Sequence, residues 1–166
     1  MILQPSDFVG KWAITQKYNS NDIQQLIDAY EEQIIYELLG VDLGNDLYTN
    51  LASLPAELQF IYDPFAVNIT NIYGDNMLVQ SLGIEVMLKN ILTGIYYLTD
   101  FGTATSEGKV KFQPEGGSLI NDNYNDNYKL YNQGVRTYKA IQKYIEENEQ
   151  DYPDYLGIQK HTAWLI

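Results

Sequence analysis

The chain has no cysteine and a single histidine, His161. The first absence removes disulfides, thiolate zinc centres, iron-sulfur ligation and a cysteine nucleophile, and the second leaves almost no imidazole chemistry. Cations are scarce as well: 10 Lys and Arg stand against 22 Asp and Glu, a net charge of −12 over 166 residues. Such a surface lacks the electrostatic footprint for binding nucleic-acid phosphates or an anionic membrane, and points to a protein or neutral partner. No apolar run reaches the roughly 18 residues of a membrane span. The most apolar stretch, residues 77–98, is interrupted by Gln80, Glu85, Lys89 and Asn90. The opening, Met1 to Asp7, has neither a basic region nor an apolar core, so no signal peptide is expected, and the chain is expected to be made and used in a cytoplasm. The sequon Asn68-Ile69-Thr70 then reads as an accident of an Asn-rich chain.

What is present suits a packed core. Hydrophobic residues make up 45 % of the chain, and 15 Tyr, 5 Phe and 2 Trp supply bulky side chains for core and interface alike. The length fits one domain. We divide it into an N-terminal arm (1–20), a helical core (21–149) that includes a long arm at 100–127, and a C-terminal tail (150–166). Residues 8–18 read as extended. Asn21 is a plausible N-cap for a first helix, in which Ile23, Leu26, Ile27, Tyr30, Ile34 and Leu38 form one apolar stripe ending at Gly40. A short helix beginning at Asn45 and one or two turns after Pro55 follow. Residues 62–76, rich in Asn with Pro64 and Gly74, read as a loop with at most one short strand.

A central buried helix is expected over 78–99, apolar around most of its circumference, with Gly83 and Gly94 as points of close packing. The Gly- and Pro-bearing segment 100–127 is longer than an ordinary connection and is a candidate contact arm, with a short strand at 109–113 as half of a hairpin. A last helix spans 127–149, and the chain closes on apolar Trp164-Leu165-Ile166.

Motifs with chemical content are few. The run from Asn121 to Asn127 offers oxygen ligands, but an EF-hand needs Gly at its sixth position and Glu at its twelfth, where this run has Asp126 and Asn132. A polar turn with a helix cap accounts for it better. Asp100-Phe101-Gly102 has no glycine-rich loop or His-Arg-Asp stretch to accompany it. The carboxylate pairs Glu31/Glu32, Glu146/Glu147 and Asp122/Asp126 fall on expected solvated faces, whereas acid-base work needs one buried partner. His161 has no nucleophile near it in sequence. Tyr96, Tyr97, Tyr124, Tyr128, Tyr131 and Tyr138 would make a stacking platform if they shared a face, but core and interface roles fit them better. Neither catalysis nor a metal or other cofactor is expected.

Residues 30–40 (YEEQIIYELLG), followed by Leu47-Tyr48 and Leu51, resemble the opening of tailed-phage head-to-tail connector proteins, also called adaptor or head-completion proteins. The resemblance extends over residues 20–148 and is nearest to the ring proteins of short-tailed phages, including crAss-like phages. It implies a mainly α, four-helix connector-type domain with a long loop or small β-hairpin arm and extended terminal tails. Such a subunit is a virion protein assembled in the bacterial host cytoplasm. Its copies form a homo-oligomeric ring, as a rule a dodecamer, between the portal protein and other tail or ring proteins, and DNA is only passing cargo in its channel. Under this resemblance Phe112, Tyr124, Tyr128 and Tyr131 are candidate subunit-interface residues, and Trp164, Leu165 and Ile166 a candidate docking tail for the portal or an adjacent ring. The alternative is a tail-associated carbohydrate-binding module using the Tyr-rich surface.

Overall fold

The computed structural model describes residues 1–14, 20–70, 74, 76–98, 104–105, 108–109 and 122–155. It is mainly helical with a small antiparallel hairpin. The order is α1 (Ser20–Leu39), α2 (Val41–Thr49), α3 (Ala56–Tyr62), β1 (Phe65–Thr70), β2 (Asn76–Ser81), α4 (Ile84–Leu98), β3 (Ala104–Thr105), β4 (Gly108–Lys109) and α5 (Asp122–Glu147).

α4 is the axis of the fold. Ile84, Met87, Leu88, Ile91, Leu92, Ile95 and Tyr96 are buried, and so are the polar Lys89, Asn90 and Thr93. A helix hydrophobic around its whole circumference has to be enclosed, and α1, α3, α5 and an N-terminal 3-10 turn enclose this one. α5 lies closest, through a reciprocal notch. A Cβ on Gly94 would stand 2.6 Å from the Tyr131 Cβ, and one on Gly134 would stand 2.6 Å from the Ile91 Cγ1. Each helix thus offers its glycine to the other's bulky side chain.

α1 presents two rows to this core, Leu26-Ile34-Leu38 and Ile27-Ile35-Leu39, all buried. Gly40 ends the helix as expected: its φ is +83° and its N–H donates to the Tyr36 carbonyl at 2.9 Å. α2 begins directly afterwards, at Val41 rather than Asn45.

Further expectations are corrected. Residues 78–81 are strand, not the first turn of the central helix. The boundary is Gly83, which holds φ +84°; a Cβ there would also meet the Tyr62 carbonyl oxygen at 2.6 Å, so only glycine fits. The Gly83 N–H donates to the Ser81 Oγ at 3.0 Å and closes the turn into α4. Residues 65–70 and 76–81 are accordingly two paired antiparallel strands rather than a loop with at most one short strand, with Val67 opposite Val79 and Ile69 opposite Met77. It packs onto α5, where Phe60, Phe65 and Tyr144 stack with ring centroids 4.6 to 5.1 Å apart. A second, minimal ladder pairs β3 with β4, and of the strand expected at 109–113 residues 110–113 lie outside the described residues. α5 starts at Asp122 rather than Asn127.

The N-terminal segment is folded against the core, not extended. It forms 3-10 turns at Pro5–Asp7 and Gly10–Trp12, and Leu3 and Phe8 are buried. Four long-range bonds fasten it: Ile2 and Leu3 N–H groups each donate to Glu31, the Trp12 Nε1–H donates to the Asn90 Oδ1 at 2.7 Å, and the Tyr97 hydroxyl donates to the Ala13 carbonyl at 3.1 Å. At the other end Tyr152 is buried, and its hydroxyl donates to the Glu57 carbonyl at 2.9 Å.

Candidate interaction surfaces

Among the described residues the Tyr side chains do not converge on one exposed face. Tyr96 and Tyr138 are in the core, Tyr97 is half-buried, and Tyr131 is half-buried against Gly94. Tyr128 is exposed, at 52 %. Of the other candidate interface and docking residues, Phe112, Trp164, Leu165 and Ile166 lie outside the described residues, as do His161 and the Tyr124 side chain.

The Glu31/Glu32 pair separates as well. Glu31 is 3 % exposed, which corrects the expectation of a solvated side chain, while Glu32 beside it is exposed. The Glu31 carboxylate accepts the Ile2 N–H at 2.7 Å, the Leu3 N–H at 2.8 Å and the Tyr48 hydroxyl at 3.3 Å. Both oxygens are committed to structure. Burial, and then the neighbouring Glu31 charge, push the Tyr48 hydroxyl far above its ordinary value. Position 31 lies on the same row as Ile27, Ile35 and Leu39, a signal of burial that is readable in the helical spacing. Glu147 pairs with Lys143, and Asp126 with Lys129 at 2.8 Å. Residues 122–127 form the first turns of α5, a rod-like backbone that does not wrap an ion. Among the described residues no three His, Asp or Glu side chains are grouped to hold a metal ion, and no helix is long and apolar enough to cross a membrane.

Two open grooves of opposite character remain. One, of about 410 Å³, lies between α1 and α2 and is lined by Asp28, Glu31, Glu32, Tyr36, Asn45 and Tyr48 among others. The other, of about 710 Å³, lies between the N-terminal turn and the start of α5, with Lys11, Tyr97, Asp126, Lys129, Gln133 and Arg136 in its wall. Beside it, Trp12 is held between Lys11 and Lys89, whose Nζ atoms stand 4.5 and 4.4 Å from the ring centroid.

A signal for this contrast lies in the order of charges along the chain. After Lys17 the next cation is Lys89, and 11 carboxylates fall between them, whereas residues 127–145 carry four cations and no carboxylate. Net charge conceals that segregation.

No family model matches the chain, and neither a curated protein nor a solved structure does.

Proposed function

We propose that the protein is a structural subunit of a phage head-to-tail connector, a ring component that sits between portal and tail and extends the DNA channel. The observation that carries the reading is the order of elements. An amphipathic helix ends at Leu39-Gly40, a short helix carries Leu47-Tyr48, and an apolar central helix is followed by a long connection and a long last helix. That order is the one the resemblance implies. The charge supports it on physical grounds, because a channel of acidic or neutral side chains lets DNA slide, while a basic one would hold its phosphates. The core is in keeping with it as well: among the described residues the apolar stripes of α1 and α4 are enclosed, while Leu78 and Tyr128 are exposed for contact.

The test is the mass of the purified protein by light scattering after size exclusion, alone and mixed with the portal protein of the same phage. Ring-sized particles, or a shift from monomer to ring on the portal, are expected. A monomer that ignores the portal overturns the reading and brings forward glycan binding, to be screened on the same preparation.

A further inference from the structure

The two grooves fit one another. We propose that the cationic groove formed by Lys11, Lys129 and Arg136 receives the cation-free face of α1 and α2 from a second copy of this chain, with Asp28 and Glu32 entering it. The inference rests on the ring reading and specifies its subunit contact.

Among the described residues, no ion pair within one subunit joins the two sets of charges that would meet. α1 and α2 span residues 20–49, which hold seven carboxylates and no Lys or Arg. α5 carries Lys129, Arg136 and Lys143 at seven-residue intervals, along one side of the helix, with Lys139 one turn from Arg136. Among the described residues the ion pairs are Lys89 with Glu85, Lys129 with Asp126 and Lys143 with Glu147, each within a single helical turn. None joins the acidic run of α1 and α2 to the cations of α5. Each molecule thus presents a negative groove and a positive groove that have no lining residue in common.

Symmetry then selects the occupant. A two-fold contact centred on either groove would set like charges against like, whereas a head-to-tail contact pairs opposite charges at every junction and forms a ring where the rotation between copies closes. A separate acidic partner would satisfy the groove but leave the α1 and α2 face of every subunit uncompensated. A second copy satisfies both.

Sedimentation velocity on the full chain, alone and with the portal protein, tests this with exposed, reversible charges. One variant reverses the groove (Lys129→Glu with Arg136→Glu), another reverses the face (Asp28→Lys with Glu32→Lys), and circular dichroism checks that both remain helical. Association of the natural chain is expected to weaken between about 0.1 M and about 1 M salt, as the screening length falls from about 10 to about 3 Å. Each variant alone is expected to associate at least about tenfold more weakly. An equimolar mixture of the two is expected to recover assembly, because every groove then faces an opposite charge. Assembly that ignores both reversals, or a mixture that fails to recover, overturns this contact and leaves the ring reading standing. Loss of portal attachment with self-association intact assigns the groove to the portal and overturns the second-copy contact. A monomer in every condition overturns the contact and the ring reading together.

Discussion

At the scale of single residues, Glu31 is the side chain on which the N-terminal segment depends. Its two oxygens take the N–H groups of Ile2 and Leu3, and it is buried. Removing it strands the buried Leu3 N–H and the part-buried Ile2 N–H, and a buried donor left unpaired costs about 1–3 kcal/mol. Glu31→Ala is therefore expected to lower the unfolding free energy by about 3 kcal/mol in urea titration and to speed amide exchange at Leu3. A loss under about 0.5 kcal/mol, the range of an ordinary surface change, would mean that the segment is held by Leu3 and Phe8 packing alone. Glycine 94 makes the opposite case, in which adding atoms does the damage. Its missing Cβ leaves room for the Tyr131 ring, so Gly94→Ala is expected to cost about 1–3 kcal/mol through overpacking, despite the better helix propensity of alanine. A melting temperature equal to or above that of the natural chain would contradict the close approach of α4 and α5.

At the scale of elements, the long helices were legible because their signals are local and repeated. The stripe of α1, its stop at Gly40 and the apolar circumference of α4 can all be counted along the chain. The hairpin was not, for two reasons. The turn residue Gly74 and the many Asn obscure an alternation of Phe65, Val67 and Ile69, and Leu78, Val79 and Leu82 read as an apolar lead into α4 despite Gln80 and Ser81 between them. What divides strand from helix is Gly83, which holds a positive φ and whose missing Cβ leaves room for the Tyr62 carbonyl, a neighbour distant in sequence. The burial of Glu31 was half legible, since its row position is local but its partners, residues 2 and 3, come from outside the helix. The candidate grooves were not found from composition, because a net charge of −12 averages over a separation that only position reveals. The hairpin also supplies an element-scale expectation. Tyr144 stacks on Phe60 and Phe65, so Tyr144→Ala is expected to destabilise by about 2–4 kcal/mol, while Leu78→Ser, on a side chain 56 % exposed, stays within about 0.5 kcal/mol. Equal losses in the two urea midpoints would mean that the hairpin does not rest on α5 through this stack.

At the scale of the whole molecule, the enclosed tyrosines and the segregated charges set the response to solvent. Burial raises the Tyr48, Tyr138 and Tyr152 hydroxyls above the ordinary value of 10.0, with Glu31, Glu37 and Tyr144 respectively adding to the shift. Below pH 10 both folded and unfolded chains keep these protons and stability is flat. Above it the unfolded chain releases protons that the folded chain retains, so stability falls, by at most about 1.4 kcal/mol per pH unit for each such group. Melting temperatures from neutral to strongly alkaline pH are expected to drop beyond pH 10, and less steeply in Tyr138→Phe; a drop that is unchanged in that variant would assign alkaline unfolding to other groups. The charges bear on DNA. Duplex approaching the molecule meets a net charge of −12, and of the α5 cations that would attract it Lys129 is paired with Asp126. Fluorescence anisotropy with a labelled duplex is therefore expected to show no binding tighter than about 0.1 mM at physiological salt, the weak end of the usual non-specific range. Tighter binding that falls steeply with added salt would mean that Lys129 and Arg136 contact phosphates instead. In that case the groove would hold DNA, and a channel lined by this subunit would grip its cargo rather than let it pass.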